Sequence, residues 1–121
     1  MTTTEELDAF IDHVLADSAG YPVPPMIEAS ILGHPERGVM EIGLGPHWGF
    51  INLLSADGGI TAGDTTRAGQ VLYDYMGNTT EVDASAEIPL ATVRQAIREF
   101  LQGDGTKPDS VSWHTSDQPT D

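Results

Sequence analysis

Residues 26–54, MIEASILGHPERGVMEIGLGPHWGFINLL, decide the fold because their apolar side chains recur at every second position. A period of two is typical of β-strands, in which alternate side chains point to opposite faces. The apolar positions predicted to share one face are Ile27, Ala29 and Ile31, then Met40, Ile42 and Leu44, and then Ile51 and Leu53. The turns Gly33 to Gly38 and Gly45 to Gly49 separate these three runs, which predicts an antiparallel meander.

Apolar residues with helical spacing flank the strands on both sides. The first helix is predicted from about Glu5 to Asp17, since glycine and prolines follow it. Pro89 is predicted to open the second helix, and Gly103 to end it. Its apolar stripe consists of Leu90, Val93, Ile97, Phe100 and Leu101.

Shorter strands complete the predicted fold. They are Ile60 to Ala62, Gln70 to Met76, Thr80 to Val82 and Ser110 to Trp113. The fold class is therefore α+β, a mostly antiparallel sheet of about five to six strands with the N-terminal and C-terminal helices packed on one face. Residues 1–113 are expected to form one domain and residues 114–121 a polar, disordered tail.

The chain is short, acidic and free of cysteine. Its 19 Asp and Glu residues outnumber 5 Lys and Arg residues, which gives a formal net charge of −14 over 121 residues. Such a charge repels phosphate groups and attracts basic proteins, so nucleic acid and anionic membranes are poor direct partners. No apolar run approaches the roughly 20 residues of a membrane-spanning helix, and the N-terminus lacks the pattern of a secretory signal. A cytoplasmic location is expected.

Strand alternation assigns a position to part of the acidic excess. If the apolar strand residues face the helices, their neighbours point to the opposite face. Those neighbours are Glu28, Glu41, Asn52, Asp74, Glu81 and Ser112. This predicts one open acidic face, which serves either to bind a basic macromolecule or simply to keep the protein soluble.

Few residues indicate catalysis. The chain has no phosphate-binding glycine loop, no nucleophile elbow and no pattern of metal ligands, and nothing in it calls for a cofactor. Tyr73 and Tyr75 fall on the inferred core face, where ordinary packing explains them. His47 beside Trp48 is the best candidate for a small-molecule or hydrolytic site. Trp48 itself lies in a predicted loop, where it suits either an exposed interface anchor or a cap on the sheet edge.

The C-terminal third of the chain resembles a known family. The stretch from Tyr73 to Trp113 reads YDYMGNTTEVDASAEIPLATVRQAIREFLQGDGTKPDSVSW. It resembles the first-numbered immunity-protein family of bacterial polymorphic toxin systems. The matching features are Tyr73 to Tyr75, Gly77-Asn78, Ala86 to Pro89, Arg98 to Leu101, Gly105, Pro108, and Val111 with Trp113.

The resemblance implies an α+β immunity protein that binds and neutralises a cognate toxin, commonly a nucleic-acid deaminase, and that is not itself an enzyme. An acidic protein suits this role because a toxin that acts on nucleic acid needs a basic surface. The candidate toxin-binding residues are Glu28, Glu41, Trp48, Asp74 and Glu81. The alternatives are a small-molecule-binding protein or small hydrolase with a site near His47 and Trp48, and a structural subunit that dimerises through a sheet edge. The toxin-binding protein itself is expected to be a monomer or weak homodimer.

Overall fold

The computed structural model describes most of the chain up to His114. The described residues are 4–20, 23–30, 34, 36, 38–45, 47–55, 58–63, 66–75, 78–103 and 105–114. Ile31 and residues 115–121, with most of the predicted tail, lie outside them.

Two helices form where the sequence predicts them. Helix α1 is Thr4–Asp17 and helix α2 is Leu90–Gln102. Pro89 occupies the N-cap position of α2, one residue before the helix begins, and at its end Gly103 donates its backbone N–H to the carbonyl of Glu99. Both helices bury one apolar stripe, as a 3.6-residue period requires.

The strands build one large sheet and one separate hairpin. Their bounds are β1 Met26–Ser30, β2 Val39–Leu44, β3 Trp48–Leu54, β4 Gly59–Ala62, β5 Gln70–Tyr75, β6 Asn78–Asp83, β7 Ile88–Pro89 and β8 Ser112–His114. The large sheet has the order β1-β2-β3-β4-β8, with β7 paired to β3, and its pairings are antiparallel. The predicted α+β class, with both helices on one face of a six-stranded sheet, is confirmed.

The first core lies between the helices and the sheet. It joins buried residues of both helices to the alternating positions of the first three strands. Its buried members are Leu7, Ile11, Met40, Ile42, Leu44, Ile51, Leu53, Ile88, Val93, Ala96, Ile97 and Phe100. The period of two therefore predicted the core face correctly.

The hairpin of β5 and β6 covers part of the other face of the sheet. Tyr73 and Val82 of the hairpin are buried against Met26 and Phe50 in a second core. The rings of Tyr73 and Phe50 meet edge to face, with centroids 4.9 Å apart. The prediction that Tyr73 packs with the helices on a single core face, leaving the second face open, is thus wrong. The physical reason is that the hairpin's own apolar side needs burial, and the sheet provides the surface for it.

Gly43 makes this second core possible. It lies opposite Phe50 in the β2–β3 register, beneath the two rings. A Cβ at this position would collide with the Phe50 ring and would stand 2.7 Å from Cε1 of Tyr73. A residue without a side chain is therefore required where the aromatic rings approach the sheet.

Thr61 closes a gap in the sheet where β3 changes partner. Along one edge, β3 pairs with β4 at residues 52–53 and with β7 at residues 48–49. Between these pairings the buried Thr61 hydroxyl accepts the backbone N–H of Ile51 at 3.1 Å and donates to the carbonyl of Ala86 at 2.8 Å. The side chain replaces the missing backbone hydrogen bonds.

Candidate functional site

A chain of side chains runs from the second core to the surface. The Tyr73 hydroxyl donates to Oε2 of Glu87 at 2.6 Å, and Nη2 of Arg67 lies 3.1 Å from Oε1 of the same carboxylate. The guanidinium of Arg67 lies over the indole of Trp48, 4.9 Å from the ring centroid. We call Tyr73, Glu87 and Arg67 the Trp48 support.

Burial keeps the Tyr73 phenol of this support protonated. Tyr73 is 1% exposed and Glu87 is 7% exposed. Burial raises the pKa of the Tyr73 phenol, the hydrogen bond and charge of Glu87 raise it further, and the charge of Arg67 lowers it. The phenol therefore remains a hydrogen-bond donor at physiological pH, while the guanidinium partners a carboxylate that has almost no access to water.

Little in the sequence indicates the Trp48 support. Arg67 stands in a polar loop without periodicity, so no pattern connects it to a tryptophan 19 positions earlier in the 121-residue chain. Glu87 belongs to the Ala86 to Pro89 segment that carries the family resemblance, which was a signal of its importance but not of its contacts. Trp48 was assigned to a loop and is instead the first residue of β3, paired with Pro89.

A second group of candidates lies on the same side of the sheet as Phe50. Glu28 is the cross-strand partner of Glu41, and Glu41 is the partner of Asn52. The next row, two residues along each strand, is Ser30, Val39 and Leu54. We call these six residues the Glu28–Glu41 face.

The glutamate pair on this face is unfavourable in the free protein. Like charges on directly opposed strand positions destabilise a sheet. Nδ2 of Asn52 donates to Oε1 of Glu41 at 3.0 Å, which relieves part of the repulsion. Partial burial and the neighbouring charge and hydrogen bond of Glu28 raise the pKa of Tyr75, with a smaller contribution from Glu41. Tyr75 thus connects the hairpin to this face as a protonated donor.

Asp74 and Glu81 lie on a different surface from the one predicted. Because Tyr73 points into the second core, its neighbour Asp74 points to the outer side of the hairpin. Glu81 pairs with Leu72 on that same outer side. The prediction of one continuous acidic face is wrong, because β5 and β6 do not belong to the large sheet, although their side chains alternate as predicted.

All five candidate residues nevertheless lie away from the helices, either on the face of the large sheet that carries Phe50 or on the β5–β6 hairpin that packs on it. We call this the hairpin side. Exposed apolar side chains are also concentrated there. Among the described residues, Trp48 is 42%, Leu54 45% and Leu72 45% exposed on the hairpin side, and Phe10 of α1 is 39% exposed on the helix side. Apolar side chains among carboxylates are typical of a protein interface.

The cations of the described residues are occupied elsewhere. Arg94 pairs with Asp8 and Asp12 between the two helices, and Arg98 pairs with Asp8 at 3.4 Å. Arg67 pairs with Glu87, and Lys107 lies over the ring of Trp113 at 5.5 Å. Among the residues that the structure describes, the contacts that relieve the Glu28–Glu41 pair are thus those of Asn52 and Tyr75.

The predicted small-molecule site centres on His47, the residue before β3. His47 is exposed, and its carbonyl accepts the backbone N–H of Leu90 at the start of α2. A cavity of about 300 Å³ lies at the opposite end of that helix, lined by Glu99, Gly103, Thr106, Lys107, Pro108 and Asp109. In the described part of the chain no three His, Asp or Glu side chains come together as metal ligands.

A family comparison supplies the identification. Residues 1–115 match the model of the family described as Immunity protein Imm1. The chain belongs to the Imm1 immunity protein family. No curated protein matches it. The resemblance stated for the first-numbered immunity family is confirmed, and this Imm1 protein is accordingly an immunity protein whose partner is a cognate toxin.

The extent of the match bears on the candidate site. The resemblance in the sequence covered Tyr73 to Trp113, whereas the Imm1 match extends from the first residue to residue 115. It therefore includes the strands that carry Glu28, Glu41 and Trp48 as well as the hairpin. In this Imm1 protein no described helix is long and apolar enough to cross a membrane.

Proposed function

We propose that this Imm1 protein binds its cognate toxin through the hairpin side of the molecule, and that the toxin is a nucleic-acid deaminase whose substrate cleft is covered. The observation that carries the proposal is the exposure of Trp48, Leu54 and Leu72 on that side. The glutamate pair of Glu28 and Glu41 lies on the same side, one row of the sheet away from Leu54. Large exposed apolar side chains gain most from a partner that removes them from water.

Electrostatics supports a nucleic-acid-directed toxin. An enzyme that acts on DNA or RNA needs a basic cleft to hold the phosphate backbone. A protein with a net charge of −14 is attracted to such a cleft over a long range, which accelerates association. Once bound, a cationic side chain of the toxin placed between Glu28 and Glu41 would remove the repulsion of this pair.

Each candidate has a place in this arrangement. Glu28 and Glu41 contact the cleft at one flank of the hairpin, Asp74 and Glu81 contact it from the outer side of the hairpin, and Trp48 contacts the toxin at the other flank. Inhibition follows from covering the cleft. It needs neither catalysis by the immunity protein nor a cofactor, and it takes place in the cytoplasm with the protein as a monomer or weak homodimer.

Charge reversal tests the proposed surface. The variant E28K/E41K keeps two like charges opposite each other but loses the hydrogen bonds from Asn52 and Tyr75, so circular dichroism is used to verify its fold before its affinity is measured. Its affinity for the toxin encoded beside it should fall by about 100-fold. D74K/E81K, on the outer side of the hairpin, should lose about tenfold.

A matched control lies on the helix side. Glu5 and Asp17 are exposed on α1, and E5K/D17K changes the net charge by the same amount. At about 0.15 M salt, where charges further apart than roughly 8 Å are screened, its affinity should fall less than about threefold. Equal losses in the control and in E28K/E41K would place the interface elsewhere. Inhibition of a toxin that deaminates no nucleic acid would reject the toxin class while leaving the binding surface intact.

A further inference from the structure

Trp48 is held to the protein interior by a continuous series of contacts. We infer that Arg67 and Glu87 are positioning residues, which fix the Trp48 indole for insertion into an apolar pocket of the toxin beside its basic cleft. This inference rests on the proposed function. It adds a specific anchor to the hairpin side and assigns a role to two buried or half-buried charged residues.

An exposed tryptophan is unusual unless it has a partner. Tryptophan is highly buried on average, and together with arginine and tyrosine it dominates the energetic centres of protein interfaces. Trp48 is 42% exposed although its backbone is held in place by strand pairing and by a hydrogen bond. It pairs with Pro89 across the sheet, and its carbonyl accepts the backbone N–H of Gly45 at 2.9 Å.

Each contact of the Trp48 support fixes the next. The Tyr73 ring is buried edge-on against Phe50, so its hydroxyl has a defined position. That hydroxyl holds one oxygen of Glu87, and the other oxygen holds Arg67 at 3.1 Å. If Arg67 left this site, the Glu87 carboxylate, which is 7% exposed, would lose its opposite charge while buried. That loss is strongly unfavourable. The Arg67 guanidinium therefore remains over one side of the indole.

The consequence for binding is preorganisation. A side chain that is already ordered loses less conformational entropy when a partner covers it. The contribution should appear mainly in the dissociation rate, because the approach of the toxin is governed by the overall charge and that charge lies mostly elsewhere.

The test uses the double variant R67M/E87Q. It removes both charges together, so no unpaired carboxylate is buried, and the amide introduced in place of the Glu87 carboxylate still offers an oxygen to Tyr73. Against immobilised cognate toxin, its dissociation rate should rise about three- to tenfold with little change in the association rate. R67K, which keeps a cation near the ring and the carboxylate, should recover part of the loss. W48A should weaken binding by about 30-fold or more.

Fluorescence of the free immunity protein distinguishes a loss of Trp48 positioning from a general loss of folded structure. The chain has 2 tryptophans, so in a W113F background the fluorescence reports on Trp48 alone. R67M/E87Q should make that fluorescence more readily quenched by acrylamide and lower its anisotropy, at unchanged far-UV circular dichroism. R94M, which breaks the ion pairs between the helices, is the matched control and should change neither signal.

The outcomes separate the two proposals. If the wild-type protein binds the toxin and R67M/E87Q dissociates at the wild-type rate, the positioning role is rejected and the proposed function stands. If W48A binds as tightly as wild type, Trp48 is not an anchor. If the wild-type protein does not bind the adjacent toxin, the proposed function and this inference both fail.

Discussion

Replacing Gly43 with alanine should loosen the layer of aromatic residues on which the hairpin side depends. Alanine is favoured over glycine in a strand interior by about 0.5–1 kcal/mol. Against this, the added methyl would meet the Phe50 ring and stand 2.7 Å from Cε1 of Tyr73. Overpacking a core costs about 1–3 kcal/mol, and displacing an edge-to-face pair costs a further 0.5–1.5 kcal/mol or so.

These ranges combine to a loss of about 0.5–4 kcal/mol, and the middle of that range, a free energy of unfolding lowered by about 1–3 kcal/mol, is the expected net change. With roughly 2.1 cal/mol/K of unfolding entropy per residue, 121 residues convert each kcal/mol into about 4 °C. The Tm should therefore fall by about 4–12 °C. Near-UV circular dichroism should weaken as well, because the Tyr73 and Phe50 rings lose their fixed geometry.

Thermal unfolding followed by circular dichroism is the assay, with Gly20→Ala as the control. A Cβ at Gly20 has nothing within 4 Å, so that variant should change the free energy of unfolding by less than about 0.5 kcal/mol. If Gly43→Ala kept the wild-type Tm and aromatic spectrum, the rings would have room to move. The claim that the hairpin packs directly on the sheet at Gly43 would then be refuted.

Three other side chains give measurable predictions. Thr61→Val keeps the side-chain shape but removes a hydroxyl with two buried backbone partners. The midpoint of urea unfolding should fall by the equivalent of about 1–3 kcal/mol. An unchanged midpoint would contradict the role given to this hydroxyl. The pKa of Tyr73 is raised above its usual 10.0, so the folded state keeps a proton that the unfolded state loses. Stability from this group should be complete below about pH 10 and decline as pH rises further, and Tyr73→Phe should show a shallower decline in urea titrations between about pH 8 and 11. Glu41→Gln should raise the free energy of unfolding by about 0.2–0.5 kcal/mol because it removes repulsion from Glu28. The same variant should bind the toxin more weakly. A lower free energy of unfolding would show that the pair is not repulsive.

The sequence was informative wherever periodicity alone decides the structure. Two periods, 3.6 and 2, predicted both helices, most strands and the face that packs on the helices. Periodicity does not say which sheet a strand joins. The alternation of Tyr73 with Asp74 is the same whether β5 extends the large sheet or packs across it, so the hairpin layer was missed.

The candidate site was predictable to the extent that it follows from register. Glu28 and Glu41 were found because each alternates with core residues on adjacent, sequentially connected strands. The contact of Arg67 with Trp48 and Glu87 joins a loop, a strand start and a segment before α2. No local pattern encodes contacts among segments so far apart, and they become visible only once the chain is folded.

The distribution of charge within the molecule bears on why the protein is acidic. It favours the interpretation that the acidic excess serves binding over the interpretation that it only keeps the protein soluble. On the helix side, Arg94 and Arg98 are placed against Asp8, where they stabilise the packing of α1 on α2. An opposite-charge pair across β1 and β2 would stabilise the sheet in the same way, yet Glu28 faces Glu41 there. Solubility alone needs negative charge somewhere on the surface and gives no reason to oppose two carboxylates one row away from the exposed Leu54. A basic partner would give that reason, because a cation placed between the two carboxylates would remove their repulsion.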